Sequence, residues 1–487
     1  MVQFVAAGAF QMPSSKPQGP MGAGPQGTAP KDNPFAPKVD TKSLPAFCRI
    51  AATLKPSSDS SIRIEVWLPT SGWNGKFLGL GNGGMAGSIV YAGGMALGLT
   101  DAIRLGYAAA NTDAGHDSAT DKTEGSFLLG HPEKLIDFGY RANHEMTLKA
   151  KALVKALYGK APKHSYFIGC SLGSQEAMSE AKRYPEDYDG VIAGAVMNSV
   201  AQFNAAQIWP AVLISRDPSK AIPREKFSMI QSAVLKSCGS PREVQQGYLD
   251  NPGRCHFEPA SLLCKNSEQA DCLTAPQAEL LRQIYQGPIN PRTGKVIFPG
   301  PAPGAEGQLD MVAASSPHPA SLALYRYGVH QDANWDWKTM DFDKDVELAV
   351  QKIGPAMHTD ADLHAFFQRG GKLMLYIGWE DYHNPLDTEH YYEDIIRNAG
   401  PDKTDSARLF VVPGMGHCLG GSGCSSFDKV ATIDRWVESG KAPEQILSSK
   451  LVSGKTVRTR PLCAYPRVAR YKGTGSLDDA ASFVCAK

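Results

Sequence analysis

The chain has 487 residues, 42% of them hydrophobic, and its 50 basic and 49 acidic side chains leave a net charge of +1. That length suits one large domain with an insertion, or two to three smaller ones, around a sizeable core. Near-neutrality leaves no electrostatic footprint for nucleic acid and no polybasic membrane patch, and no apolar run approaches the roughly 18 residues needed to cross a bilayer; the partner left open is a small neutral or weakly charged molecule.

The opening "MVQFVAAGAFQMP" has an apolar patch but no basic flank, so no signal peptide is read there. Residues 11–46 are crowded with Pro, Gly and Ser ("PSSKPQGPMGAGPQGTAPKDNPFAPK"), a composition that buries too little apolar surface to fold alone. The whole of 1–46 is therefore expected to be an extended arm. "SIRIEVWLP" alternates with period two and "GKFLGLGNGG" is a short apolar run entering a glycine-rich turn; both read as strands. "IRLGYAAANTDAG" reads as strand and loop, "FGYRANHEMTLKAKALVKALYG" as an amphipathic helix, "KHSYFIGCS" as a strand, "LGSQEAMSEAKRYP" as a helix stopping before Pro185, and "YDGVIAGAV" as a buried strand. This alternation predicts a parallel α/β sheet. From 199 to 337 it dissolves into helices, turns and four close cysteines; "GGKLMLYIGWED", "ARLFVVPGMGHC" and the helix "SFDKVATIDRWVESG" then restore it. The expected organisation is a catalytic domain over 47–198 and 338–487 with a lid inserted at 199–337, where insertions at the carboxyl edge of such sheets cover the site.

Ten cysteines are present, Cys48, Cys170, Cys238, Cys255, Cys264, Cys272, Cys418, Cys424, Cys463 and Cys485. They form no CxxC pair and no Cys/His spacing typical of zinc, which points to disulfides and to a secreted or periplasmic location.

The chemistry concentrates on "GCSLG". In a strand–GxSxG–helix turn the serine, here Ser171, sits on a strained elbow with its hydroxyl above the sheet, and the following N–H groups point into the site. A serine hydroxyl needs a base, and the base needs a group to orient it. Asp381 follows the apolar strand of "LMLYIGWEDYHNP" and His417 that of "LFVVPGMGHC", in the order serine, acid, histidine. Position alone leaves Glu380 open as the acid, and His383 or His390 as the base. If Ser171 and His417 lie within hydrogen-bond reach, their neighbours Cys170 and Cys418 are brought within disulfide range, so triad and disulfide imply each other. The aspartates of "DANWDWKTMDFDKD" (Asp332, Asp336, Asp341, Asp343, Asp345) read as solvated turns and helix starts rather than a metal site, and Trp335 and Trp337 as core.

The set Cys170-Ser171, Asp381 and His417-Cys418 resembles the "CS … D … HC" mark of the tannase and feruloyl esterase family, which also contains mono(2-hydroxyethyl) terephthalate hydrolases. The resemblance runs through "LPAFCRI", "EVWLP…WNGKFLGLGNGG", "DFGYRANH", "GPINPRTGKVIFPG" and "YKGTGSLDDAASFVC". It implies an α/β-hydrolase fold with a lid and a serine carboxylesterase acting on esters of aromatic acids, feruloyl (hydroxycinnamoyl) or galloyl. Ser171 would be the nucleophile, His417 the general acid/base and Asp381 its partner, with an oxyanion hole from the N–H groups of Leu172 and Gly84. A terephthalate monoester hydrolase is the alternative, and a binding protein without turnover the alternative of another class. The resemblance pairs Cys238 with Cys255, Cys264 with Cys272 and Cys463 with Cys485. It gives Cys48 a partner upstream of this chain's first residue, pointing to a trimmed amino terminus or a lost partner, with Cys424 a possible substitute.

Three departures stand out. Relatives carry an aspartate-rich calcium loop where this chain has Gly239, Arg242 and Gln246; an arginine there repels the ion, Glu243 and Asp250 are insufficient replacements, and no metal or other cofactor is expected. Ser174 replaces a frequent glycine, affecting helix packing or the pocket floor. Asn384 replaces frequent apolar residues and suggests a more polar substrate wall.

Overall fold

The computed structural model describes residues 1–12, 40–93 and 96–487. Nine strands form one sheet: β1 (Val2–Val5), β2 (Phe47–Leu54), β3 (Ile62–Pro69), β4 (Lys76–Leu80), β5 (Ala108–Thr112), β6 (His164–Cys170), β7 (Gly190–Gly194), β8 (Lys372–Gly378) and β9 (Ala407–Val412). Their spatial order is β1-β2-β3-β5-β4-β6-β7-β8-β9. β1, β2 and β3 pair antiparallel with one another and β3 with β5, whereas β5, β4, β6, β7, β8 and β9 run parallel. β6 and β7 read as continuous apolar or small runs because both faces of a parallel sheet are covered. One face packs on Met146, Val154, Met178 and Ile395, and the other on Ile103, Ile433 and Trp436.

Chain order reverses at β4: the chain moves to one side for β5 and returns to the other for β6. Such a switch point opens a crevice at the carboxyl ends of the two neighbouring strands. The turn after β4 carries "GNGG" and the turn after β6 carries Ser171, so topology alone sets them side by side.

The alternation in "SIRIEVWLP" suggests one wet face, yet β3 is almost wholly buried. Glu65 pairs with Arg49 and accepts from Trp67 Nε1 at 2.8 Å. One face is covered by Met146, Ala150 and Val154, and on the other Phe47 stacks on Trp67 at 4.2 Å with help from the amino terminus. Phe10 packs on Trp67 at 4.7 Å between ring centroids, and β1 adds to β2 as an edge strand. The expected arm over 1–46 is thus corrected at residues 2–5, whose backbone pairs with β2 while Val5 alone of the four side chains is buried; the Pro/Gly/Ser-rich residues 13–39 lie outside the described residues.

Between β7 and β8 run residues 195–371, largely helical, with helices Val200–Arg216, Lys226–Cys238, Ala275–Gln286 and Lys344–Met357. Lys344–Met357 packs on Val200–Arg216, and its Ala349, Ile353 and Met357 share the insertion's own core, so that core extends past 337. Phe366 and Phe367 return to the core of the sheet. The insertion core also takes in Leu172 and Tyr382 from the loops at the carboxyl edge, so insertion and sheet meet through packed side chains there. Trp335 and Trp337 only pack against that core, half-buried. The aspartates nearby do turn work: Asp336 caps a short helix and Asp343 pairs with Arg292 at 2.7 Å. This arrangement is an α/β-hydrolase fold with an inserted helical unit.

Four disulfides are formed, Cys170–Cys418, Cys238–Cys255, Cys264–Cys272 and Cys463–Cys485, whereas Cys48 and Cys424 are free thiols. Cys424 does not stand in as a partner for Cys48. Closing a chain loop removes unfolded-state entropy in proportion to the logarithm of its length. Cys170–Cys418 spans 248 residues and Cys264–Cys272 spans 8. Replacing the first pair by alanine is therefore expected to cost about 5–6 kcal/mol of stability and the second about 2–3 kcal/mol, measured by denaturant unfolding.

Candidate active site

Ser171 stands between β6 and the helix Leu172–Arg183 with φ 63 and ψ −125, a backbone conformation that L-residues adopt only under constraint. The constraint is legible in its neighbours. A Cβ on Gly169 would lie 2.1 Å from the Gly173 carbonyl oxygen, and a Cβ on Gly173 would lie 2.8 Å from the Asn82 carbonyl oxygen. The two glycines of the motif let the turn close on itself and let the loop after β4 lie against it. Leu172 is the first helical residue, so its N–H has no intrahelical acceptor. Gly84 sits in the turn after β4 with φ 60. Ser174 fixes the elbow's other side: its Oγ lies 2.6 Å from the Ser171 carbonyl and accepts from the Met197 N–H at 3.2 Å, joining the elbow helix to the loop after β7.

Asp381 and His417 meet. His417 Nδ1–H donates to Asp381 Oδ1 at 2.9 Å, leaving Nε2 with its lone pair free. The His383 N–H donates to the same oxygen at 2.8 Å. Burial works to raise the Asp381 pKa, but the charge and hydrogen bond of His417, then His383, outweigh it and hold the carboxyl below its ordinary value. The other candidates are placed elsewhere. His383 donates from Nδ1 to the Ala195 carbonyl at 3.0 Å, and burial, with the charge of His417, pushes its pKa down to about 3. His390 is exposed on the helix Pro385–Ala399. The Glu380 N–H donates to the Met415 carbonyl at 3.0 Å, and its carboxyl makes no hydrogen bond to His417.

In sheet order β6 and β9 are three positions apart, about 14 Å at the usual strand spacing. The Cα atoms of Cys170 and Cys418 are nevertheless only 6.1 Å apart. The loop after β9 must double back over the ends of β8 and β7 to make this bond. It passes so close that a Cβ on Gly378 would lie 2.0 Å from the Met415 carbonyl oxygen. Cys418 itself takes φ 64. Ser171 and His417 are both buried to 5% exposure, and Ser171 Oγ makes no hydrogen bond among the described residues; His417 Nε2 lies 3.8 Å from Cys418 Sγ. A serine–histidine hydrogen bond commonly tightens only when substrate is bound, and none joins Ser171 to His417 among the described residues.

Several rings stand around His417, of which the sequence had singled out only His383. Tyr382 and His383 stand 4.6 and 4.3 Å from the His417 ring, and Phe203 of the insertion lies 4.5 Å from His383. His318, also of the insertion, packs 6.2 Å from Tyr382, and burial followed by the charge of His417 lowers its pKa to about 4. Adjacency to Asp381 was the only signal for Tyr382, and Phe203 and His318 had none. Asn384 departs from its expected role as a polar wall. Its Nδ2 donates to the carbonyls of Pro299 and Gly300 at 2.6 and 2.9 Å, and its Oδ1 caps the helix that follows, so its polar atoms fasten the insertion to the Asp381 loop.

Of the three positions where the sequence departs from the expected calcium loop, Arg242 and Gln246 lie on a short helix, Pro241–Gln246, and Gly239 caps the helix before it. Arg242 pairs with Asp250, while Glu243 accepts from the Ser240 N–H at 2.9 Å and the Asp250 N–H at 2.8 Å. Both carboxylates are taken by protein donors.

The parallel sheet with a serine elbow at its carboxyl edge defines the class, an α/β-hydrolase. The family model for tannase and feruloyl esterase matches residues 48–486. An uncharacterized esterase of Xanthomonas campestris pv. campestris is 37% identical, over 91% of this chain and 84% of that protein. A probable feruloyl esterase B-1 of Aspergillus terreus is 31% identical, over 90% and 86%. The crystal structure of feruloyl esterase B from Aspergillus oryzae superposes with a TM-score of 0.85 at 27% identity, covering 100% of this chain and 96% of that one. The chain belongs to the tannase and feruloyl esterase family and is a carboxylic ester hydrolase.

Glu380 gives the site a pH signature. Burial, with the charge of nearby Glu306, raises its pKa to about 7. The folded chain holds this proton more tightly than the unfolded chain, so the group costs nothing below about pH 4 and becomes destabilising as pH rises towards 7. Glu380→Gln is expected to match the wild type at pH 4 and to exceed it by about 2–3 kcal/mol at pH 8, read from urea unfolding at the two pH values.

Proposed function

We propose that the chain hydrolyses esters of aromatic acids, hydroxycinnamoyl or galloyl, through an acyl-enzyme on Ser171. The observation that carries this reading is the His417–Asp381 hydrogen bond, on a loop tied by Cys170–Cys418 to the residue preceding Ser171. His417 Nε2 takes the Ser171 proton as Oγ attacks the ester carbonyl, and Asp381 stabilises the imidazolium that forms. The tetrahedral oxyanion is met by the N–H of Leu172 and one from the turn at Gly84. Collapse expels the alcohol, protonated by His417. Water, activated by the same imidazole, then releases the acid and restores Ser171. The low pKa of His383 keeps it neutral, so it adds no second cation beside His417.

The aromatic preference is supported by the rings of Tyr382, Phe203 and Phe298, which share one buried apolar cluster with Leu172 and join the elbow to the insertion, read here as a lid. The names of the Aspergillus relatives support the same class. No calcium is assigned, because Arg242 and the engaged carboxylates of Glu243 and Asp250 do not fit that ion. Four disulfides fit a protein that works outside the cytosol, secreted or periplasmic.

The test is a panel of methyl ferulate, methyl gallate, chlorogenate and mono(2-hydroxyethyl) terephthalate. Hydrolysis of the first three ahead of the terephthalate ester is expected. Terephthalate as the best substrate would move the reading to that class, and no turnover of any ester would leave a binding protein. Ser171→Ala is expected to lower kcat by about 10⁴-fold or more, with Asp381→Asn close behind. Activity surviving in Ser171→Ala sinks the nucleophile assignment.

The clamp makes a separate prediction. Cys170→Ala/Cys418→Ala, assayed where circular dichroism shows it folded, is expected to lose about 10²-fold in kcat as Ser171 and His417 lose alignment. Unchanged turnover in the folded double variant would refute that role.

A further inference from the structure

Glu176 lies on the elbow helix, five residues beyond Ser171, and is completely buried. A carboxyl so placed is costly to desolvate unless it holds something. Its Oε2 accepts from the Asn82 N–H at 2.7 Å. From the same helix the Gly173 N–H donates to the Asn82 carbonyl at 3.0 Å. Both peptide groups of Asn82 are thus gripped by one helix. The Asn82 side chain is held too: Nδ2 donates to the Thr112 carbonyl at 2.9 Å, and Asn111 Nδ2 donates to Asn82 Oδ1 at 3.0 Å. The loop is pressed close enough that a Cβ on Gly81 would lie 2.9 Å from Glu176 Oε2 and 2.9 Å from the Gly173 Cα.

Asn82 is followed at once by Gly83 and Gly84, two residues with little rigidity of their own. Oxyanion stabilisation needs donors fixed before the charge develops, because donors that must reorganise give most of the benefit back. One donor, Leu172, belongs to the helix; the other belongs to a glycine turn on a different strand. The contacts through Asn82 join the turn directly to the elbow helix.

We infer that Glu176 is a positioning residue for ester hydrolysis, its carboxyl anchoring the Asn82 peptide so that the Gly83–Gly84 turn and the Leu172 N–H face one point. This rests on the oxyanion reading proposed above. Burial, opposed by the Asn82 N–H, raises the Glu176 pKa to about 7, and the acceptor role rests on the 2.7 Å hydrogen bond from that N–H.

Glu176→Met keeps the volume and removes the acceptor; Glu176→Gln keeps an acceptor of the same reach. The Met variant is expected to lose about 10–100-fold in kcat on methyl ferulate and methyl gallate alike, with KM within about threefold, while Gln recovers most of the loss. Affinity for an arylboronic acid, which forms a tetrahedral adduct on the serine, is expected to fall by the same factor, with affinity for the product acid unchanged. Full kcat in folded Glu176→Met, or a loss confined to KM, or one the boronate does not share, overturns the inference. Should Met not fold, Glu176→Asp takes its place, withdrawing the acceptor by one methylene, with the same criteria. Wild-type and Ser171→Ala assays run alongside separate the two readings: if those behave as expected and the Glu176 variants keep full kcat, only the positioning role fails.

Discussion

The bond between Cys170 and Cys418 joins the end of β6 to a loop that leaves the sheet three strands away, and the geometry of the site depends on that reach. A parallel sheet spaces its strand ends evenly, so residues at the ends of β6, β8 and β9 would sit too far apart for proton transfer. Folding the β9 loop back across β8 removes the gap. The glycine at 378 gives the loop room to pass, and the covalent bond keeps it there. Positive φ at both Ser171 and Cys418 shows that the backbone is forced at each end of the tie.

Around that tie, burial sorts the ionisable groups. Asp381 and Glu380 are neighbours in one loop, yet the first is held below its ordinary pKa by histidines, whereas burial and then the charge of Glu306 push the second up to about 7 against a weaker pull from Lys450. Burial acts on both carboxyls, and only Asp381 has a histidine partner to offset it. The histidines divide in the same way, His383 being committed to the Ala195 carbonyl while His417 keeps Nε2 free.

The insertion is fastened to this centre at several points. Ser174 binds the elbow helix to Met197 near its start, Asn384 binds the Asp381 loop to Pro299 and Gly300, and Phe203 packs on His383. Two residues that looked like departures in sequence are connectors in three dimensions. The absence of a Cβ at Gly169 and Gly173, likewise, matters for packing as much as for the turn.

Periodicity and turn residues in the sequence sufficed for the alternating strands and helices, for the elbow at Ser171 and for an insertion after β7, because these depend on contacts close along the chain. The acid and base were narrower: Asp381 and His417 followed from strand ends and order, but Glu380 and His383 were equally compatible by position. Only the tertiary structure shows that His417 pairs with Asp381, since which of two adjacent side chains faces another loop depends on how the chain returns between residues 36 positions apart. The same holds for β1, whose role as an edge strand requires β2 beside it, for the Trp67 face of β3, on which Phe10 packs, and for Glu176, an unremarkable helix residue until the loop after β4 is laid against it. Local patterns determine elements and candidate chemistry; the burial and pairing that make the chemistry possible belong to contacts between segments that the sequence keeps far apart.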